Sequence, residues 1–297
     1  MSFDKLEDPM SAAVNGDHPA DPVPLAPVLL IDIGGTNIKW HLTTRQNRAS
    51  YYQRLVEGPL QTVHRVKWER RLWRSLEEIV SPQAGKVAGI GVSITDHTAG
   101  DSREYKGYLR EEGIPGNLAE RLEHIAGLAR GSVTIIHDTR AWARGYQSYL
   151  SLSQKGEIGP RGLIVVGTGV SFVKIDKGNV EYPELSSQPH NWETLNAIAG
   201  GKKKKVHRAP HEHLAKKFFE WMEQERWDET DQEKEILKRA LVFLREISRV
   251  HGLRNFVFAG GYGVRFLDLE TGYELSVLDR SIAFDPDHIP LMGLLTA

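Results

Sequence analysis

The chain has 297 residues, 40% of them hydrophobic and 26% charged, with a formal net charge of −1. That is enough for one large or two medium domains around a sizeable core, and the balanced charge argues against a generalised nucleic-acid or polyanion binder. It contains no Cys, which excludes disulfides, thiolate zinc sites and Cys nucleophiles and fits a reducing cytoplasm, the expected location.

Residues 1–27 are acidic and carry several Pro but no hydrophobic h-region. They read as a flexible arm, not a signal peptide. No apolar run approaches the roughly 18 residues of a membrane span, so no membrane partner is expected. "VLLIDI" (28–33) is an apolar strand. "NIKWHLT" (37–43) alternates Ile38, Trp40 and Leu42 with polar residues, which reads as a half-buried strand. The GGT turn between them makes a hairpin. "ASYYQRLVEG" (49–58) is expected to be a third strand, and 61–80 a helix with Leu72, Leu76, Ile79 and Val80 on one face. "KVAGIGVSI" (86–94) is a buried strand, and "NLAERLEHIAG" (117–127) a short helix ending at Gly127.

In "SVTIIHDTRAWARGYQSYL" (132–150) the pattern switches from strand to helix at Asp138, with Trp142, Tyr146, Tyr149 and Leu150 at helical spacing. Residues 154–162 are turn-rich, and "LIVVGTGVSFVKIDKGNV" (163–180) repeats the strand–turn–strand layout. Amphipathic helices are expected over 213–225 and 230–251, and "NFVFAGGYG" (255–263) is a third apolar strand ending on glycines. Strands, hairpins and helices alternate, and the hairpin theme occurs twice. This argues for an α/β protein of two related halves, with a boundary near 125–150.

Two small-residue turns carry the candidate chemistry. Gly34, Gly35, Thr36 and Asn37 follow Asp32, and Gly167, Thr168 and Gly169 close the second hairpin. Glycines let consecutive N–H groups converge on an anion, and Thr adds a hydroxyl donor, so phosphate is the natural guest. An acid beside a bound polyphosphate is repelled unless a cation intervenes, so Asp32 makes best sense holding Mg²⁺. Lys39 either reaches a phosphate or is an ordinary strand residue. Asp138 is either a helix N-cap or a general base at a cleft mouth.

These residues resemble the hexokinase–actin–heat-shock ATPase superfamily. "DIGGT" looks like its first phosphate motif, "GTG" its second, and "FVFAGGYG" its adenosine motif, in matching order over 28–297. Within it, "DIGGTNIK", "VTIIHDTRAWARG" and "IPLMGLLTA" resemble the ROK sugar kinases, closest to the short zinc-free glucokinases. The resemblance implies a two-lobed, ribonuclease-H-like duplicated fold with a central cleft, its N-terminal lobe at 28–137 and its C-terminal lobe at 138–297. It implies phosphoryl transfer from ATP, or polyphosphate, with Mg²⁺, to a hydroxyl of a sugar or sugar-like small molecule. Asp138 would be the base, and Gly260 and Gly261 would let adenosine lie against the chain. Asn117, His137, Glu184 and His190 would contact the acceptor, and a homodimer would be in keeping with the family.

The chain also departs from that pattern. His137 replaces the usual Asn before the aspartate, "GVSITDHTAGD" (91–101) stands where the family has a Pro-Gly turn, and Glu184 and His190 have altered spacing. The family's Cys-rich zinc motif is absent. The basic run "GKKKKVHR" (201–208) either contacts the donor's phosphate chain or is a solvated segment. His207, His211 and His213 read as solvent histidines, since Pro210 interrupts the helical spacing a metal pair would want. Two alternatives remain. "GTGVS" (167–171) is shared with type II pantothenate kinases, for which Glu104 would be the loose candidate acid; and a nucleotide or sugar sensor would keep the fold without turnover.

Overall fold

The computed structural model describes residues 26–35, 37–58, 63–67, 72–95, 103–111, 113–153, 159–166, 170–176, 179–181, 248, 251–260, 274–277 and 282–295. The expected helices at 213–225 and 230–251 lie almost wholly outside them.

The first half builds a five-stranded sheet from β1 (Val28–Ile33), β2 (Asn37–Thr43), β3 (His64–Lys67), β4 (Gly89–Ile94) and β5 (Val133–His137), in the order β3-β2-β1-β4-β5. β1 pairs antiparallel with β2 and parallel with β4, and β4 pairs parallel with β5. The second half builds β6 (Arg161–Val166), β7 (Val170–Asp176), β8 (Asn179–Glu181), β9 (Asn255–Ala259) and β10 (Glu274–Val277) in the order β10-β9-β6-β7-β8. Counted within its own half, each sheet has the same strand order. The pairing senses repeat as well: an antiparallel hairpin first, then parallel additions on its other side. The repeated hairpin in the sequence is therefore a duplicated sheet.

Among the described residues the α-helices are α1 (Arg48–Glu57), α2 (Leu72–Val80), α3 (Leu118–Ala126), α4 (Asp138–Leu152) and α5 (His288–Gly293). Residues 49–58, expected as a strand, form α1. Asn47 caps it by accepting the Ser50 N–H at 2.8 Å, and Tyr51 and Leu55, one helical turn apart, are buried. The paired tyrosines favour a strand locally, but the cap and the four-residue spacing of the apolar face prevail. The helix expected over 61–80 is divided. His64–Lys67 is a short edge strand paired antiparallel with β2, and among the described residues of that range Leu72–Val80 is the helical part. Its four expected core residues, Leu72, Leu76, Ile79 and Val80, are all buried. α3 ends as expected on Gly127, whose φ of 65° is the left-handed conformation glycine tolerates best.

Side chains alternate across β1, so the central strand serves two cores. Leu29, Ile31 and Ile33 pack with α2 and α3, while Leu30 packs with α4, α5 and residues of the second sheet. Asp32 shares the face of Leu30. β2 is covered on that side too: His41 and Thr43 are buried, whereas Leu42, expected inside, is 36% exposed. The Tyr51 hydroxyl is hydrogen-bonded to Nδ1 of the fully buried His288, and His41 meets both rings edge-on. Burial pushes the Tyr51 phenol pKa up, which keeps it a donor.

α4 and α5 cross at glycines. A Cβ on Gly145 would overlap the Ile289 carbonyl oxygen, and one on Gly293 would overlap that of Ala141. This close approach locks α4, and with it Asp138, against the C-terminal segment.

Candidate functional site

The site lies at the carboxyl ends of β1 and β5, the edge where open α/β sheets bind ligands. After Asp32 the chain turns, and the Gly34 N–H donates to the Asn37 carbonyl at 3.0 Å, closing the β1–β2 hairpin. Gly34 thus spends its donor inside the turn. Gly35 and Asn37 are half-buried beside it, and Thr36 lies outside the described residues.

Sheet register puts Ser93 of β4 and Lys39 of β2 on either side of Asp32. The Ser93 hydroxyl donates to Asp32 Oδ1 at 2.7 Å, and Lys39 Nζ lies 3.5 Å from Oδ2. Lys39 also reaches Asp287 Oδ1 at 2.8 Å. Asp287 is paired in turn with Arg65 of β3, which contacts Asp285 at 3.1 Å. Signs alternate along the row Asp32, Lys39, Asp287, Arg65, Asp285. Burial pushes the Asp32 pKa up; Lys39 and Ser93 oppose this without cancelling it, and the charges of Asp138 and Asp287 add to it. Burial alone would lower Lys39, but Asp32 and Asp287 outweigh it, so the ammonium is held charged. Lys39 is therefore a half-buried ion-pair partner, 6.0 Å from the centroid of Trp142 on α4.

Asp138 opens α4, as its strand-to-helix position implies. Its Oδ1 accepts the Thr139 N–H at 2.6 Å and the Thr139 hydroxyl at 3.2 Å, and His137 Nδ1 lies 2.8 Å away. Burial pushes this carboxyl up, but His137 and the Thr139 donors prevail and hold it below the usual aspartate value. Asp138 is thus ionised at neutral pH, with Oδ1 occupied by donors. The side chain that caps α4 belongs to His137, whose Nδ1 accepts from the Thr139 N–H at 3.1 Å.

The structure therefore gathers Asp32, Lys39 and Asp138 into one electrostatic neighbourhood. Gly260 ends β9 with a φ of 87°, a turn conformation that requires glycine. Asn117 stands exposed at the N-cap of α3 and makes no side-chain capping bond. Glu104 is exposed, 3.6 Å from Lys106. Gly167, Thr168, Gly169, Glu184, His190, Gly261, the basic run and the three nearby histidines lie outside the described residues. Sequence reasoning missed Ser93, Trp142, Arg65 and Asp287. Ser93 carried a signal, as the lone hydroxyl in an apolar strand. Asp287 carried none, because "DPDH" reads as a plain turn.

Among the described residues no group of three or more His, Asp or Glu side chains is arranged to hold a metal. A single buried carboxylate fits an ion carried mainly by phosphate oxygens and water, which is how Mg²⁺ is commonly bound. No described helix is long and apolar enough to cross a membrane.

No family model matches the chain, and no curated protein does. Solved structures do. An inorganic polyphosphate/ATP-glucomannokinase from Arthrobacter sp. strain KM is 17% identical, with a TM-score of 0.57 over 91% of this chain and 96% of that one. A ROK-family glucokinase from Streptomyces griseus, solved with glucose and AMPPNP, is 14% identical, with a TM-score of 0.51 over 90% and 97%. A ROK hexokinase from Thermus thermophilus is 15% identical, with a TM-score of 0.51 over 90% and 96%. The chain thus has the duplicated, actin-like ATPase fold of these kinases.

Proposed function

We propose that the protein is a cytoplasmic carbohydrate kinase that transfers the γ-phosphoryl group of a nucleotide to a hydroxyl of a sugar, with Mg²⁺. The observation that carries this reading is the pairing of two acids, Asp32 and Asp138, at the carboxyl ends of β1 and β5, close enough for Asp32 to feel the charge of Asp138. Their environments differ, as their roles require. Asp32 sits beside a phosphate-type turn and a lysine, while Asp138 opens a helix with one oxygen held by donors.

In this reading Asp138 Oδ2 receives the proton of the acceptor hydroxyl as that oxygen attacks phosphorus. The Thr139 donors fix the carboxylate's orientation through Oδ1. The glycine-rich segments 34–37 and 167–169 would hold the phosphates, with donors other than the Gly34 N–H, and Gly260 and Gly261 would accommodate the nucleoside. Lys39, held by Asp32 and Asp287, supplies a positive charge at the phosphate end of β1. Bound Mg²⁺ would lie against Asp32 and neutralise charge on the transferring phosphoryl group. The solved kinases of this fold, one of them holding glucose and AMPPNP, support the choice of sugar acceptor and nucleotide donor. The polyphosphate/ATP-glucomannokinase makes polyphosphate the second donor to test.

The test is phosphate transfer with Mg²⁺ from ATP or polyphosphate across hexoses, N-acetylhexosamines and pantothenate. Transfer to one sugar is the expected result. Transfer to pantothenate alone, or nucleotide binding with no transfer to any acceptor, would overturn the reading.

A further inference from the structure

We propose that His137 is a positioning residue that forms a dyad with Asp138, clamping the carboxylate when its Nδ1 carries a proton and releasing it when that proton leaves. This rests on the proposed role of Asp138 as base. It departs from the acceptor-binding role that the resemblance implies for position 137.

One nitrogen of His137 makes two contacts. His137 Nδ1 lies 3.1 Å from the Thr139 nitrogen and 2.8 Å from Asp138 Oδ1. A bare Nδ1 accepts the Thr139 N–H but then faces Oδ1 lone pair to lone pair. A protonated Nδ1 cannot accept, and donates to Oδ1 instead. The Thr139 N–H loses nothing in that state, because Oδ1 also accepts it at 2.6 Å. The proton can therefore come and go without orphaning the first backbone donors of α4. An Asn at this position has no such titration.

The charges around the dyad come from several elements. Arg140 follows Asp138 on the first turn of α4, and Asp32 at the end of β1 feels the Asp138 charge; beyond Asp32, Lys39 on β2 and Asp287 before α5 continue the row of charges. Asp32 and Asp287 face Lys39, which pairs with both. Among the described ion pairs the partner of Asp138 is His137, which is a cation only when its ring is protonated. The downward displacement of the Asp138 pKa agrees, since after the opposing effect of burial its largest causes are the hydrogen bond and charge of His137. A carboxylate clamped in this way is a weaker base, so transfer is faster once His137 has lost its proton and the carboxylate is released. In that step the acceptor O–H proton passes to Asp138 Oδ2, the new O–P bond forms, and the bond to the leaving nucleoside diphosphate breaks.

Two measurements on the full-length protein test this. The first follows the His137 ring nitrogens by NMR through a pH titration without ligand, in the wild type and in Asp138→Asn. The dyad requires the His137 midpoint to fall by about 1 pH unit or more when the carboxylate is removed; an unchanged midpoint would overturn it. The second is the pH profile of turnover in the wild type and in His137→Asn. The acid limb should move down by about 2 pH units, from the histidine range toward the carboxylate range, with a several-fold lower plateau. A lower plateau with an unmoved limb would mean that His137 only caps the helix, and would overturn the gate. A coupled NMR titration together with full activity in Asp138→Asn would instead overturn the base assignment on which this inference rests.

Discussion

Gly145→Ala probes the link between the fold and the site. The new Cβ would lie 2.7 Å from the carbonyl carbon of Ile289 and overlap its oxygen. The oxygen is the nearer atom, at 1.8 Å, and restoring an ordinary contact of ~3.4 Å requires α4 and α5 to part by roughly 1.6 Å, shared between the two helices. Both obstructing atoms are backbone, so no rotamer change relieves them. Overpacking of this kind costs about 1–3 kcal/mol, and the better helix propensity of Ala returns about 1 kcal/mol at most. An overlap this deep puts the cost at the upper end of that range, so the expected net loss is about 2 kcal/mol in urea unfolding. Asp138 is seven positions earlier on the same helix, so the displacement should also reach the site. A misplacement approaching 1 Å is expected to lower turnover by about 10- to 100-fold. A Gly145→Ala protein as stable and as active as its parent would refute the crossing as the element that sets α4.

Tyr51→Phe removes the donor to the buried His288 Nδ1 and should cost about 1–3 kcal/mol of unfolding free energy; an unchanged midpoint would show the pair to be dispensable. Glu123→Ala strips the acceptor from the N–H groups of Gly131 and Val133, bonded at 2.6 and 3.3 Å, and should cost about 2–3 kcal/mol by the same measurement. Asp287 gives a pH signature. Burial raises its pKa, but Lys39 and Arg65 outweigh burial and hold it below the ordinary aspartate value of 3.8. Between its native value and 3.8 the unfolded chain binds more protons, so this stabilisation is complete above 3.8 and is lost as pH falls through the native value. The stability gap between wild type and Asp287→Asn should therefore narrow on acidification below 3.8, and a gap constant with pH would contradict it.

The duplicated architecture was legible because each half announces itself locally, as an apolar strand, a small-residue turn and a second strand. Asp138 was legible for the same reason: the change of period from strand to helix occurs at that residue. α1 was misread because "SYYQ" has the composition of a strand, and its helical identity depends on the Asn47 cap and on a core that Tyr51 meets only in the folded chain. β3 was misread because its four residues become a strand only when β2 offers an edge. The Arg65–Asp285 contact joins residues 220 positions apart, which no local pattern reveals. The double contact of His137 Nδ1 is likewise a product of the α4 cap geometry; the sequence shows only that an imidazole stands beside an acid.

The most direct test of the account compares wild type with Asp138→Asn, measuring phosphate transfer to the identified sugar alongside nucleotide affinity by calorimetry. Asp138→Asn should lower turnover by at least about 100-fold, the lower end of what a positioned general base contributes, while nucleotide affinity stays within about twofold. Undiminished transfer by Asp138→Asn would contradict it, and so would a wild type that binds nucleotide and sugar together yet moves no phosphate.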